Sequence, residues 1–262
     1  MSVASDLQPI GSILHKPTLN LHSASVDTIK LGGLTRLEEA QTVNVSGNST
    51  IGLIVEGGNR VLPGHLTINL AKGASLFDTN GAVVIRSTLV ETGGVGSTFY
   101  NENSIDTWTG SHLTFGIAIN GIGSFNLLDK PEYGFGGSTV EFKGAVGGGQ
   151  FISIDAGRVQ VDKPMQFLAT VTHLNGFPKA SPGYANDAVL DLKGIHATTG
   201  QYVGNDVILF NGTTIVADIH TKASAVPTLF ATNEAGGGVS LSAYGLLGSS
   251  ELHTGAPVVH IA

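Results

Sequence analysis

Between Gly136 and Gly194 apolar and polar side chains alternate, and glycine breaks the alternation at short intervals. Val140 and Phe142, Ile152 and Ile154, and Val159 and Val161 mark three successive runs, separated by Gly144, Gly147 to Gly149, and Gly157. A period of two over four to six residues is the pattern of a half-buried strand, and glycine supplies the turns between strands. Recurrence at roughly ten-residue spacing predicts an all-β stack, sandwich or barrel, with all six apolar side chains facing one core.

The same rhythm runs from Gln41 to the end of the chain. It predicts strands at 42–46, 51–56, 65–70, 82–86, 112–119, 124–128, 138–142, 150–154, 158–162, 166–172, 188–192, 207–210, 213–219, 238–242 and 257–261. No apolar period of 3.6 residues is found after residue 41, so no helix longer than two turns is expected. Residues 1–40 are the least strand-like and read as an N-terminal cap or extension. Within them Leu34 to Ala40 fits one helical turn, with Thr35 as N-cap and Glu38 in the capping-box position. Residues 41–262 read as a single glycine-rich all-β domain.

One internal echo bears on the architecture. Asn186-Asp-Ala-Val-Leu-Asp-Leu-Lys-Gly194 recurs as Asn205-Asp-Val-Ile-Leu-Phe-Asn-Gly212, each copy with a tyrosine (Tyr184, Tyr202) just upstream. A repeat near 20 residues is about one coil of a parallel β-solenoid, where each turn stacks on the last. The competing reading is a β-sandwich in which Asn-Asp marks a recurring turn. The solenoid is the expectation carried forward.

Composition narrows the class. Glycine accounts for 37 of 262 residues, about twice the usual share of roughly 7%, while charged residues make up only 13%. With 41% hydrophobic residues the chain has the material for a core, and disorder is excluded. The net charge of −7 and thirteen basic residues, no two adjacent, argue against nucleic acid. Cysteine is absent, which removes disulfides and thiolate metal sites. No window approaches 18 apolar residues, so no membrane span is expected. Residues 1–29 show no basic segment followed by an apolar run, so no cleavable leader is read there.

Several residues at 136–194 carry a family resemblance. Gly137-Ser-Thr-Val-Glu-Phe142, Gly149-Gln150, Val161-Asp-Lys-Pro-Met-Gln-Phe167 and Asp187-Ala-Val-Leu-Asp-Leu192 followed by Gly194-Ile195 appear in that order. This course is similar to a module of large secreted or surface β-strand-repeat proteins of bacteria, the autotransporter-like and hemolysin-like adhesins. The stretch from Ala231 to Leu241 resembles their closing strands. The resemblance implies a bacterial protein, secreted or on the cell surface, without shared catalytic residues.

Catalytic signatures are missing: there is no Gly-x-Ser-x-Gly, no Walker string, and no Gly-x-Gly-x-x-Gly in a β-α setting. None of the nine histidines falls in a His-x-His or His-Glu-x-x-His pattern. A β-helical lyase would need converging carboxylates. Glu132, Glu141, Asp155 and Asp162 are the candidates, with Arg158 among four arginines. If the two echoes stacked, Asn186, Asp187, Asn205 and Asp206 would offer oxygens to calcium. Asn and Asp beside strands more often cap turns, so no cofactor is expected. Phe99, Tyr100 and Trp108 sit in the longest stretch without alternation. They read as a contact loop for a ligand such as a sugar, or as anchors into the core. At the C-terminus, Val258, Val259 and Ile261 form an apolar strand suited to pairing with another copy. The reading is therefore a non-enzymatic, adhesin-like or matrix-forming scaffold acting through its surface and self-association. The alternative is a β-helix that binds or degrades carbohydrate.

Overall fold

The computed structural model describes residues 18–31, 40–56, 65–79, 81–85, 88–108, 110–128, 137–174, 188–222, 228–242 and 258–261. Strands β1 (Thr18–His22) and β2 (Ser25–Leu31) form a first coil, and β3 (Ala40–Ser46) with β4 (Asn48–Glu56) forms the next. From β5 (His65–Leu70) onward the second leg bends and divides, giving β6 (Ser75–Asp78) and β7 (Ala82–Ile85). The first half of β4 pairs with β6 and its second half with β7, so the bend develops within one strand's length. Three-legged coils follow: β8 (Thr88–Gly93), β9 (Thr98–Asn101) and β10 (Ser104–Trp108), then β11 (His112–Phe115), β12 (Ala118–Asn120) and β13 (Gly123–Leu128). Next come β14 (Ser138–Phe142) with β15 (Gln150–Ile154), and β16 (Gly157–Val161) with β17 (Thr170–Leu174); β18 (Val189–Lys193) ends the stack. Every pairing between coils is parallel. The expected β-solenoid is the fold.

Register explains why the alternation was so regular. Leu66, Leu89, Leu113, Val140, Val159 and Leu190 lie over one another along one wall. Leu76, Phe99, Ile119, Val146 and Phe167 line another. Ile105, Phe125, Ile152 and Val171 line the third. Inside, Phe99, Phe125 and Phe142 pack around Phe115 with ring centroids 5.2 to 5.8 Å apart, and Phe142 reaches Phe167 at 6.1 Å. Each buried ring or branched aliphatic adds about 1.5–3 kcal/mol. Val140, Phe142, Ile152, Ile154, Val159 and Val161 are all at most 1% exposed, as the alternation predicts.

The corner between the second and third legs is built from polar side chains turned inward. Asp78 and Asn101 are aligned, and both are buried. The Gly81 N–H donates to Asp78 Oδ1 (2.9 Å), and the Asn103 N–H to Asn101 Oδ1 (3.3 Å). Gln150 completes the column: Asn101 Nδ2 donates to its Oε1, and its Nε2 donates to the carbonyls of Asn101 and Asn120. Side-chain amides thus satisfy backbone groups that a turn would otherwise leave unpaired in the interior.

The C-terminal part departs from parallel stacking. Strands β19 (Thr199–Val203), β20 (Asp206–Asn211) and β21 (Thr214–His220) make an antiparallel sheet. Strands β22 (Thr228–Asn233) and β23 (Gly238–Ser242) form a hairpin whose β23 pairs antiparallel with β18, and β24 (Val258–Ile261) lies parallel to β22. This corrects the reading of the echo. Its first copy is in the long sheet and its second is in the antiparallel sheet, so the copies are not successive coils. Asn-Asp and glycine punctuate a hairpin and a coil alike, because both need the same turn chemistry.

Two other expectations meet the structure at the N-terminus. Strands β1 and β2 already belong to the stack, so coiling begins ahead of Gln41. The helical turn over Leu34 to Ala40 lies outside the described residues, apart from Ala40 at the start of β3. Among the described residues the helical element is a 3-10 turn at Pro164–Gln166, and no helix is long and apolar enough to cross a membrane.

Candidate functional site

The three aromatic residues expected to form a contact loop are instead distributed over β9 and β10. Phe99 is 0% exposed and belongs to the core, which rules it out as a ligand contact. Tyr100, next in the strand, faces outward and stacks on Phe77 of the coil before (4.4 Å, 9° between planes). Each of these two rings therefore covers one face of the other. Trp108 is half-buried at the end of β10, level with Ile85 and Leu128. The alternation is broken here by the polar corner at Asn101 to Asn103, which made two strands look like a loop.

Charged groups converge on the outer face of the long sheet. Glu141 of β14, Gln160 of β16 and Asp191 of β18 stand in one row across the strands. Gln160 Nε2 donates to Glu141 Oε1 (2.9 Å) and to Asp162 Oδ1 (3.3 Å), and Lys143 pairs with Glu141 (3.2 Å). Next along the row Asp191, 0% exposed, is held by Arg158 (2.7 Å) and Lys193 (2.6 Å). Both cations also reach Glu234 in the β22–β23 turn, each at 3.3 Å, and the Ser240 hydroxyl donates to Glu234. The Ser240 hydrogen bond, with help from Lys193 and Arg158, holds the Glu234 carboxyl below the usual carboxylate range. The hydrogen bond to Asp191 raises Lys193.

This arrangement has two carboxylates and two cations, the ingredients of a lyase site, but each charge is spent on another. Asp191 is shut away from solvent, and Arg158, the cation anticipated for an acidic sugar, is tied to it. Of the four carboxylates proposed from sequence, Glu141 and Asp162 share Gln160, Asp155 lies in the turn before β16, and Glu132 falls outside the described residues. Asp191 and Glu234 were missed. Asp191 was legible as the polar position of the alternating run Val189-Leu-Asp-Leu192; Glu234 arrives from a distant turn and left no local signal.

The metal candidates separate in the same way. Asn186 and Asp187 lie outside the described residues. Asn205 is exposed, and its carbonyl accepts from the Thr221 N–H and hydroxyl. Asp206 enters a cluster with Asp218 and His220 of β21.

A buried acid was also missed. Glu91 of β8 stands between Ile68 and Phe115 in an inward column and is 0% exposed. Neither carboxyl oxygen has a hydrogen-bond partner. Burial, and then the nearby charge of Asp78, push its pKa well above the ordinary value.

Away from these clusters the long sheet carries a ladder of amides. Asn44 Nδ2 donates to Asn20 Oδ1 (2.9 Å), Asn69 Nδ2 to Asn44 Oδ1 (3.1 Å), and the Thr92 hydroxyl to Asn69 Oδ1 (2.8 Å). Beside it runs a shallow groove of about 450 Å³, lined by Asn20, Asn44 and Asn69 of this ladder together with His22 and Ser46. Among the described residues the sheet's two outermost strands are β1 and β24. Val259 is 9% exposed and packs under β19, where a Cβ on Gly200 would come within 2.7 Å of its side chain. Ile261 is half-buried, and Val258 sits level with Thr228. The C-terminal strand anticipated as a pairing surface is thus already paired along one edge, with β22 of its own chain.

Neither protein-family models, curated proteins nor solved structures yield a match to this chain.

Proposed function

We propose that this chain is a structural β-solenoid, an adhesin-like or matrix-forming unit that works through its surface and by joining end to end. The observation that carries the reading is the geometry of the long sheet's two edges. Strands β1 through β18 run one way in this sheet; β23 reverses, β22 reverses again, and β24 follows β22. The outermost strands β1 and β24 therefore point in the same direction. Among the described residues each has a partner on one side only. Docking β24 of one copy on β1 of the next continues the parallel pairing already present between coils. Such a contact is heterologous, and with a rotation that does not close into a ring it propagates as a fibre. The lock-up of Arg158, Lys193, Asp191 and Glu234 supports a role without chemistry. A secreted or bacterial cell-surface setting accompanies this reading, as the resemblance at 136–194 implies.

Sedimentation velocity over a wide concentration range, with negative-stain microscopy, is the test. Linear oligomers are expected for the full chain, and fewer of them after deletion of Val258 to Ala262 or with Asn20→Lys at the β1 edge. A full-length protein that stays monomeric at high concentration overturns the proposal. The groove beside the asparagine ladder supports a second reading, binding of a surface polysaccharide through amide and hydroxyl groups. Retardation of the protein on polysaccharide-containing gels, lost on Asn44→Ala, would favour it.

A further inference from the structure

The outward face of the antiparallel sheet gathers three side chains with metal-ligand chemistry. Val207, Leu209, Ala217 and Ile219 face the core and are 0–1% exposed. Asp206, Asp218 and His220 occupy the alternate positions and share the other face. Asp206 lies directly across from His220, and Asp218 is two residues before His220 on the same strand. His220 Nδ1 and Asp206 Oδ1 are 2.9 Å apart, and all three residues offer ligand-type atoms within 4.8 Å of one another.

The geometry points to a binding site for one divalent transition-metal ion, of which Zn²⁺ is the representative. The His220–Asp206 pair accounts for two of the three groups and leaves Asp218 over. Asp218 Oδ1 is closed off from solvent and has no hydrogen-bond partner, a costly position for a carboxylate oxygen. Two carboxylates and one imidazole carry more negative charge than the histidine can balance, and a divalent ion supplies what is lacking. One imidazole nitrogen and two carboxylate oxygens suit Zn²⁺ and its neighbours; Ca²⁺ and Mg²⁺ prefer oxygen alone. Ligand atoms of a tetrahedral site with bonds of about 2.0–2.2 Å stand roughly 3.3 Å apart, so from a spacing of at most 4.8 Å the three groups have to draw in by up to about 1.5 Å. Water would complete the shell.

The location gives the ion a consequence. Just past His220, Thr221 donates to the Asn205 carbonyl and the Lys222 N–H donates to Val171 of β17. This is where the antiparallel sheet is fastened to the last coil, and the register of β20 and β21 is interrupted nearby at Leu209 and Phe210. A metal clip across Asp206 and His220 fixes the pairing at that junction.

The test uses the full-length chain, stripped with a chelator and titrated with ZnCl₂ by calorimetry, with CaCl₂ as comparison. One saturable Zn²⁺ equivalent is expected, lost in the isosteric variant Asp218→Asn and in His220→Ala, and kept in His112→Ala on the long sheet. Hydrogen exchange of the wild-type chain provides a reading that needs no variant: Zn²⁺ should slow exchange in β20 and β21 more than in β14 to β16. At a hundredfold excess over Kd the melting temperature should rise by roughly 5–10 °C. Absence of saturable binding, binding that survives both Asp218→Asn and His220→Ala, or unchanged exchange in β20 and β21 would overturn the assignment.

Discussion

Replacing Glu91 by leucine should make this protein more stable, and by an amount that grows with pH. Glu91 stands in a column with Ile68 and Phe115, and both its oxygens are buried without a partner. An unsatisfied buried polar group costs about 1–3 kcal/mol. A leucine of similar size removes that cost and adds apolar contact, for a net gain on the order of 2–4 kcal/mol. In a chain of this length that corresponds to about 5–10 °C in melting temperature. The sign of the pH effect follows from the raised pKa. The folded protein holds the Glu91 proton more tightly than the unfolded chain does. Its contribution is therefore fully present below the ordinary carboxylate pKa of about 4.3 and is lost as pH rises through the folded value. Glu91→Leu carries no such loss, so its advantage should be smallest in acid and widen toward neutrality and above. Glu91→Gln, which keeps the shape but cannot ionise, should flatten the same slope. Calorimetric melting of the three proteins between about pH 4 and pH 8 measures both effects. A leucine variant less stable than wild type at neutral pH, or an advantage that does not change with pH, would refute the reasoning.

Two further outcomes can be checked by urea denaturation. Asp191→Ala should cost about 1.5–3 kcal/mol, because a fully buried carboxylate loses its contacts with two cations, while Arg158 and Lys193, partly exposed, keep Glu234; Glu234→Ala, on the exposed side of the same network, should cost about 1 kcal/mol or less. Gly157 has φ +101°, and an added Cβ would overlap the Ser138 carbonyl oxygen, so Gly157→Ala should be far more damaging than Gly73→Ala; Gly73, at φ +71°, faces open space, and its cost should stay at about 1–2 kcal/mol.

How much of this was legible in the sequence depends on which residue is asked. Val140 to Val161 announced their common core because alternation and glycine turns agreed there. The coil period did not announce itself, since coils differ in length: Val140 lies over Val159, yet Leu113 lies over Val140. A fixed repeat length is not required when inward positions need only be apolar. Strand β10 was hidden because the corner at Asn101 to Asn103 turns the polar Asn101 inward and sets two exposed polar residues after it, against the pattern that marks a strand. Glu91 was hidden for the opposite reason. It sits at the inward parity of Leu89, where the rhythm requires an apolar side chain, so only position betrays it. Asp218 and His220 share a strand face by simple spacing, but Asp206 joins them only through the β20–β21 register, which local pattern does not encode.

A parallel coil removes the problem of free edges along its length and concentrates it at its two ends. In this chain the ends are treated differently. The N-terminal coils, though two-legged, continue the parallel stack to β1, where the asparagine ladder runs to Asn20 in the outermost described strand. At the other end the direction of pairing reverses twice before β24 closes the sheet. That reversal needs support, because antiparallel strands laid on a parallel stack break the register that holds the coils together. The Arg158–Asp191–Lys193–Glu234 network ties the β22–β23 turn to β16 and β18, and β24 hangs from β22. The Asp206–Asp218–His220 cluster sits where β21 joins β17. Both charged clusters thus brace the part of the molecule that sets the position of β24. For an end-to-end join, a firmly placed β24 matters more than any feature of the flanks, since its offset and angle are copied at every junction. Loosening the network by Glu234→Ala should then disturb the straightness of assemblies before it disturbs the fold of a single chain.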